Sequence, residues 1–160
     1  QIVLLSFLNI ALERIVHAVS MGGNMVVNFG PRPDGDFRAE EKELAKVIGK
    51  WTARNGECIY ACGYAGWEKQ DWGYYTAKGH HVYMVVFNRP YSGQLTAKTP
   101  KGTQIIKASL LNGENIKVTE TARNEYNVSM PKHEFNEPFV IKLEIKSSES
   151  TTNKYREALT

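Results

Sequence analysis

The sequence has few cysteines, little net charge and no long uncharged apolar run. Two cysteines in 160 residues are too few for the disulfide frame of a small secreted domain. A formal net charge of +3 is too small to indicate a nucleic-acid or membrane-surface partner. The apolar stretch 2–19 carries Glu13 and Arg14 in its middle, which argues against a membrane span. We therefore expect neither nucleic acid nor a membrane as a partner.

Motifs for metal binding, nucleophilic catalysis and phosphate binding are absent as well. Cys58 and Cys62 form a C-x₃-C pair without a second pair, and a zinc site needs more ligands, so we expect buried thiols. His80 and His81 are neighbours, and neighbouring side chains on a strand point to opposite faces. No G-x-S-x-G, H-E-x-x-H or phosphate-loop pattern occurs. We expect no metal and no cofactor in this chain.

The composition is that of a folded globular chain. Apolar residues make up 42% and aromatic residues 11% of the sequence, which is enough to build a core. The length fits one domain or two small ones, whereas a complete (β/α)₈ barrel needs about 250 residues. The chain starts at Gln1 rather than Met, so we expect it to begin inside a longer gene product or after processing.

The first third of the sequence predicts α/β architecture. Two segments have apolar residues at helical spacing, namely Leu8, Leu12, Ile15 and Val19, and then Leu44, Val47, Ile48 and Trp51. Gly22-Gly23 ends the first helix. Between the helices, the apolar run 24–29 predicts a strand buried on both faces of a parallel sheet, and 30–36 predicts a loop. Such a strand needs partner strands on both sides, and this segment supplies only one strand.

From Gly63 onward the pattern becomes that of β structure. Short apolar or alternating runs separated by turn residues predict about seven strands, at 72–76, 81–87, 94–99, 105–111, 116–119, 126–130 and 139–145. Strands of this length and spacing are typical of an antiparallel sandwich or barrel. Residues 147–160 are rich in Ser, Thr and Asn and predict a polar tail.

Two groups of residues suggest chemistry. Asp34 and Asp36 lie in the loop after the predicted buried strand, which is the catalytic side of an α/β barrel, although a D-G-D sequence is also a common surface turn. The second group consists of aromatic residues between the two parts of the chain. Exposed rings can stack on sugars, and buried rings can pack the junction, so both alternatives are open for Tyr60, Tyr64, Trp67, Trp72, Tyr74 and Tyr75.

Four motifs in the first sixty residues resemble one enzyme family. They are G-G-N-M-V-V-N-F-G-P at 22–31, D-G at 34–35, I-G-K-W at 48–51 and N-G-E-C-I-Y at 55–60. In order and spacing they resemble the end of the catalytic barrel of α-L-fucosidases of glycoside hydrolase family 29. The part from Trp72 to about Ile145 is similar to the family's C-terminal β-sandwich.

The resemblance implies a fold class and a domain division. The fold would be an α/β fragment, made of the last strand and helices of a (β/α)₈ barrel, followed by an all-β antiparallel sandwich. Residues 1–62 would be the incomplete barrel end, 63–146 the sandwich and 147–160 a polar tail. Within the barrel end, 6–19 would be the seventh helix, 25–28 the eighth strand and 39–55 the eighth helix.

The resemblance also implies a function for a longer protein. Family members are retaining exo-glycosidases that release terminal α-L-fucose from glycans, and their nucleophile, acid/base and fucose-binding histidines all lie upstream of the region resembled. No catalytic residue is therefore expected in this chain, which should be inactive alone. Asn28, Arg32 and Asp34 would line the rim of the active site. Trp67 and Trp72 are the aromatics assigned to face a sugar.

The implied partners are a fucosylated glycan and the missing N-terminal part of the barrel, and the family resemblance suggests a secreted, periplasmic or lysosomal protein. The alternative hypothesis is a stand-alone carbohydrate-binding or structural β-sandwich module without catalysis. Against this alternative, an isolated barrel end would leave a parallel strand edge and apolar helix faces exposed.

Overall fold

The computed structural model describes residues 2–147 as two helices followed by eight strands. The helices are α1 (Ile2–Ser20) and α2 (Ala39–Asn55), and a single 3₁₀ turn, Gly56–Cys58, extends α2. The strands are β1 (Gly73–Lys78), β2 (His81–Val86), β3 (Gln94–Lys98), β4 (Thr103–Leu110), β5 (Asn115–Ile116), β6 (Val118–Ala122), β7 (Glu125–Ser129) and β8 (Phe139–Ser147). Apart from Ser147, the predicted polar tail 147–160 lies outside the described residues.

The strands form two antiparallel sheets packed as a sandwich. One has the order β1-β2-β8-β4-β5 and the other the order β3-β7-β6. Alternation along β8 places Phe139, Ile141, Leu143 and Ile145 in the core between the sheets, because successive side chains of a strand point to opposite faces. One predicted strand divides: β5 joins the first sheet and β6 the second. The predicted antiparallel sandwich is confirmed.

The two helices cover the other face of the five-stranded sheet. Leu12 of α1 and Trp51 of α2 pack against Tyr83 and Val85 of β2 in a second buried cluster. The Trp51 Nε1–H also donates a hydrogen bond of 2.7 Å to the Pro138 carbonyl oxygen, just before β8. The molecule thus has three layers, with the five-stranded sheet in the middle. Neither helix in the described part of the chain is long and apolar enough to span a membrane.

Both predicted helices are confirmed, with the expected apolar faces turned inward. Leu8, Leu12 and Val19 are buried, and Val16 is buried beside them while Ile15 is only half-buried. After α1, Gly22 has a φ of +78°, and the Gly23 N–H bonds to the Ala18 carbonyl at 2.8 Å. The predicted glycine stop therefore acts through a left-handed residue that only glycine adopts without strain.

The predicted strand at 25–28 is wrong for this structure. Residues 23–32 have no regular secondary structure, and Val26 is 91% exposed. A parallel strand needs a hydrogen-bonded neighbour, and within residues 2–147 every strand belongs to the sandwich. At the end of α2, Gly56 has a right-handed φ of −58° and leads into the 3₁₀ turn, and residues 59–61 continue as a turn.

Candidate functional site

The loop before α2 contains two of the three predicted rim residues in contact with each other. The Arg32 guanidinium lies 3.0 Å from the Asp34 carboxylate, and both side chains are about half exposed. Backbone bonds from Arg32 N–H to Asp36 O (2.7 Å) and from Gly35 N–H to Arg32 O (2.8 Å) close the turn. Asn28 is exposed in the segment without secondary structure that leads into this loop. The structure thus brings Arg32 and Asp34 together on a turn held by its own hydrogen bonds.

Asp36 connects the same loop to α2. Its two carboxylate oxygens lie 2.6 and 2.8 Å from the Lys42 Nζ, and the Phe37 N–H donates to it at 2.8 Å. The hydrogen bond from Lys42 lowers the pKa of Asp36 below its ordinary value, and the Phe37 N–H adds to this. A general acid at neutral pH needs a raised pKa. Asp36 is therefore suited to holding the loop on the helix, and it is not suited to giving up a proton.

The two tryptophans assigned to face a sugar are inside the sandwich. Trp67 is 6% and Trp72 3% exposed. Both pack on the Tyr75 ring, with centroid distances of 5.1 and 4.9 Å, and the Trp72 Nε1–H donates to the Thr96 carbonyl at 2.8 Å. Their ring faces are occupied by protein, so in this structure both indoles are packing residues. Of the aromatic group, Tyr60 and Tyr64 are the exposed members.

A polar cluster that the sequence did not reveal ties the end of α2 to the sandwich. The Glu57 Oε1 accepts hydrogen bonds from the Lys142 Nζ at 2.6 Å and from the Tyr83 hydroxyl at 2.9 Å. The bond from Lys142 is the main reason that the pKa of Glu57 is lowered, and Tyr83 contributes further. Burial, followed by the bond to Glu57, raises the pKa of Tyr83. In the sequence the only signal was Glu57 itself within the N-G-E motif.

The two cysteines are free thiols beside this cluster. Cys58 is buried and Cys62 half-buried, and burial raises the pKa of both thiols. The Thr76 hydroxyl donates to the Cys58 carbonyl at 2.7 Å, which fixes the turn on β1. Within residues 2–147, no three His, Cys, Asp or Glu side chains are grouped so that they could hold a metal ion.

Comparisons with known proteins identify relatives for both halves of the chain. The alpha-L-fucosidase family model matches residues 8–57. Human tissue alpha-L-fucosidase is 36% identical over 103 residues, which cover 62% of this chain and 22% of that protein. The family model covers the first three barrel-end motifs and the start of the fourth. The chain spans about a fifth of the length of this curated relative.

Solved structures extend the match through the sandwich. The alpha-L-fucosidase of family GH29 from Bacteroides thetaiotaomicron, solved as a trapped covalent intermediate, is 62% identical with a TM-score of 0.85, over 88% of this chain and 32% of that chain. Alpha-L-fucosidase isoenzyme 1 from Paenibacillus thiaminolyticus is 27% identical with a TM-score of 0.78, over 88% of this chain and 35% of that one. The chain thus spans about a third of the solved fucosidases. Its sequence and its fold make it a member of the alpha-L-fucosidase family, glycoside hydrolase family 29.

Proposed function

We propose that this chain is the C-terminal portion of an alpha-L-fucosidase, a retaining exo-glycosidase that releases terminal α-L-fucose from glycans. In this proposal residues 1–62 complete the catalytic barrel and residues 63–146 form the sandwich that supports it. The catalytic nucleophile and acid/base lie upstream of the chain, in the N-terminal part of the barrel. The fucosylated glycan and that barrel part are its partners.

The observation that carries the proposal is a set of apolar side chains that the described residues leave exposed. Its members lie on the far side of α1 and in the segment after it, and they are Phe7, Ile10, Met21, Met25, Val26 and Val27, all exposed. A patch of this kind on a folded domain marks an interaction surface. The segment 24–29 has the apolar composition of a central parallel strand, so it is suited to pair between two strands of a barrel.

The chemistry of the complete enzyme would use two carboxyl groups about 5–5.5 Å apart, one as nucleophile and one as acid/base. The trapped covalent intermediate of the Bacteroides relative, with 2-fluoro-fucosyl fluoride, is the kind of species that such a two-step reaction forms. In this chain Asp34 is paired with Arg32 and Asp36 with Lys42, so neither is assigned as nucleophile or acid. Asn28, Arg32 and Asp34 are proposed to line the rim, because they lie at or just after the end of the segment 25–28, which would be the eighth strand once the rest of the barrel is present.

Reconstitution tests this proposal. The 160-residue chain is co-expressed with the N-terminal barrel portion of the Bacteroides relative, and turnover of an aryl fucoside is measured. We expect turnover from the pair and none from the pure chain. In the pair, Val26→Lys should lower turnover at least about tenfold, because it places a charge inside the barrel. The matched control is Ile106→Lys, an exposed apolar residue on the sandwich, which should leave turnover unchanged. Turnover by the pure chain, or equal effects of the two lysines, would contradict the proposal.

A further inference from the structure

An exposed tyrosine lies in a surface depression at the C-terminal end of α2. Tyr60 is 64% exposed. Its ring lies against Gly56, where an added Cβ would come within 2.6 Å of the tyrosine Cε2. The Tyr60 N–H donates to the Gly56 carbonyl at 2.8 Å, and the Lys78 Nζ contacts the Tyr60 carbonyl at 3.4 Å. The ring is thus supported on one side by the backbone and open to solvent on the other.

The depression is large enough for a ligand of the size of a sugar. Its volume is about 510 Å³, and Tyr60 lines it together with Thr52, Arg54, Glu57 and Asn112. A second depression of about 330 Å³ continues from it past Arg54 and Asn112 toward the sandwich. Small-molecule sites in proteins have volumes of about 300–1,000 Å³. Together the two depressions offer room for more than one sugar ring.

The polar groups around the Tyr60 ring are held by hydrogen bonds and ion pairs to neighbouring residues. The Asn112 amide donates to the Arg54 carbonyl at 3.1 Å. The Arg54 guanidinium is paired with Glu137, and Glu57 is paired with Lys142. Because each charge in the depression already has an opposite charge beside it, the surroundings favour a neutral polar ligand over a phosphate or a carboxylate.

We propose that the depression around Tyr60 binds a neutral sugar unit of a glycan, separately from the catalytic rim. The tyrosine ring stacks on the apolar face of the sugar, and the amide, guanidinium and carboxylate groups at its edge bond the hydroxyls. The depression begins at Gly49, ten residues after the start of α2 at Ala39, so about 15 Å or more of helix separates it from the loop with Arg32 and Asp34. One fucose cannot reach both places, so the site holds a part of the glycan that is remote from the fucose.

The choice of a glycan as ligand rests on the proposed function, whereas the open ring and the paired charges do not. The probe is therefore lacto-N-tetraose, a neutral tetrasaccharide without fucose, added to the 160-residue chain. Saturation transfer from protein to sugar protons is recorded by NMR over a titration. We expect Tyr60→Ala to weaken binding about tenfold. The matched control is Tyr91→Ala, which removes another exposed tyrosine in the loop between β2 and β3 and should leave binding unchanged.

Two more variants probe the geometry. Gly56→Ala would place a methyl group where the Tyr60 ring lies, and Asn112→Gly would remove the amide while accepting the φ of 57° at that position. Each should weaken binding about threefold or more, which also keeps the test valid if Tyr60→Ala fails to fold. Absence of saturation transfer to the tetrasaccharide, or equal binding by the Tyr60 and Tyr91 variants, would overturn the inference. If tetrasaccharide binding depends on Tyr60 but the reconstituted enzyme does not turn over the fucoside, the proposed function is refuted and the inference about Tyr60 stands.

Discussion

The two faces of the five-stranded sheet are covered by layers that differ in how completely the chain buries their apolar surface. On one face, the three-stranded sheet and the middle sheet enclose a core to which Leu95, Tyr126 and Ile141 belong. On the other face, α1 and α2 bury Leu12 and Trp51 against the sheet. On its other side, however, α1 leaves the apolar residues Phe7 and Ile10 exposed. The core of the sandwich is thus enclosed between its two sheets, while α1 carries apolar side chains on both of its sides.

The helices and the sandwich are in close contact, although the predicted division of the chain lies between them, near residue 62. Hydrogen bonds cross it from Trp51 to Pro138, from Lys142 to Glu57 and from Thr76 to Cys58. The predicted division into a barrel end at 1–62, a sandwich at 63–146 and a polar tail at 147–160 stays a prediction. In this chain the helices and the middle sheet share one buried cluster, so we expect them to unfold together.

The largest expected loss of stability comes from replacing a buried tryptophan, either Trp51 in the helical layer or Trp72 in the sandwich. Trp51 and Trp72 are both buried, and each donates its indole N–H to a backbone carbonyl. Trp51→Ala and Trp72→Ala should each lower the free energy of unfolding by about 3–5 kcal/mol, in a single transition. Urea unfolding monitored by circular dichroism at the helix signal, with hydrogen exchange of the strand amides, checks this. Early loss of the helix signal alone in Trp51→Ala would mean that the helical layer is an independent appendage.

Two valines, one buried and one exposed, compare the covered and the uncovered apolar surfaces, and the expected change in the free energy of unfolding is smaller than for the tryptophans. Val85 is fully buried between sheet and helices, whereas Val26 is exposed. Val85→Thr buries a hydroxyl and should lower the free energy of unfolding by about 1–3 kcal/mol. Val26→Thr should stay within about 0.5 kcal/mol of the parent chain. Thermal unfolding of the two variants measures the difference, and a large loss with Val26→Thr would show that the segment 24–29 packs onto the chain in solution.

The sequence predicted those features that depend on local periodicity. Helical spacing located α1 and α2, and alternation located the strands, because burial on one face imposes those periods. The prediction failed at 25–28, since a run of β-prone residues does not reveal whether its hydrogen-bond partners are present. For Trp67 and Trp72 the sequence left sugar contact and packing open, because composition does not distinguish a buried ring from an exposed one. The pairing of Glu57 with Lys142 depends on the register of β8, which no local pattern contains.

The smallest expected change in stability comes from the pair of Glu57 and Lys142, and it depends on pH. Bonds from Lys142 and Tyr83 lower the pKa of Glu57 below its ordinary value of 4.5, so the unfolded chain takes up this proton first as the pH falls. The contribution of Glu57 is thus complete above pH 4.5 and is lost as the pH drops through the lower pKa of the folded state. Because the pair is partly exposed, Glu57→Gln should lower the free energy of unfolding at pH 7 by only about 1 kcal/mol.

Urea unfolding at pH 7 and again in acid separates this contribution from mere loss of packing. The difference between Glu57→Gln and the parent chain should shrink in acid, because a protonated Glu57 and a glutamine are then both neutral. Glu43→Gln is the matched control, since the Glu43 pair with Lys46 spans 3.8 Å between exposed side chains on α2 and should contribute almost nothing at either pH. A difference for Glu57→Gln that is equal at both pH values would mean that Glu57 joins the helical layer to the sheet through packing rather than through its charge.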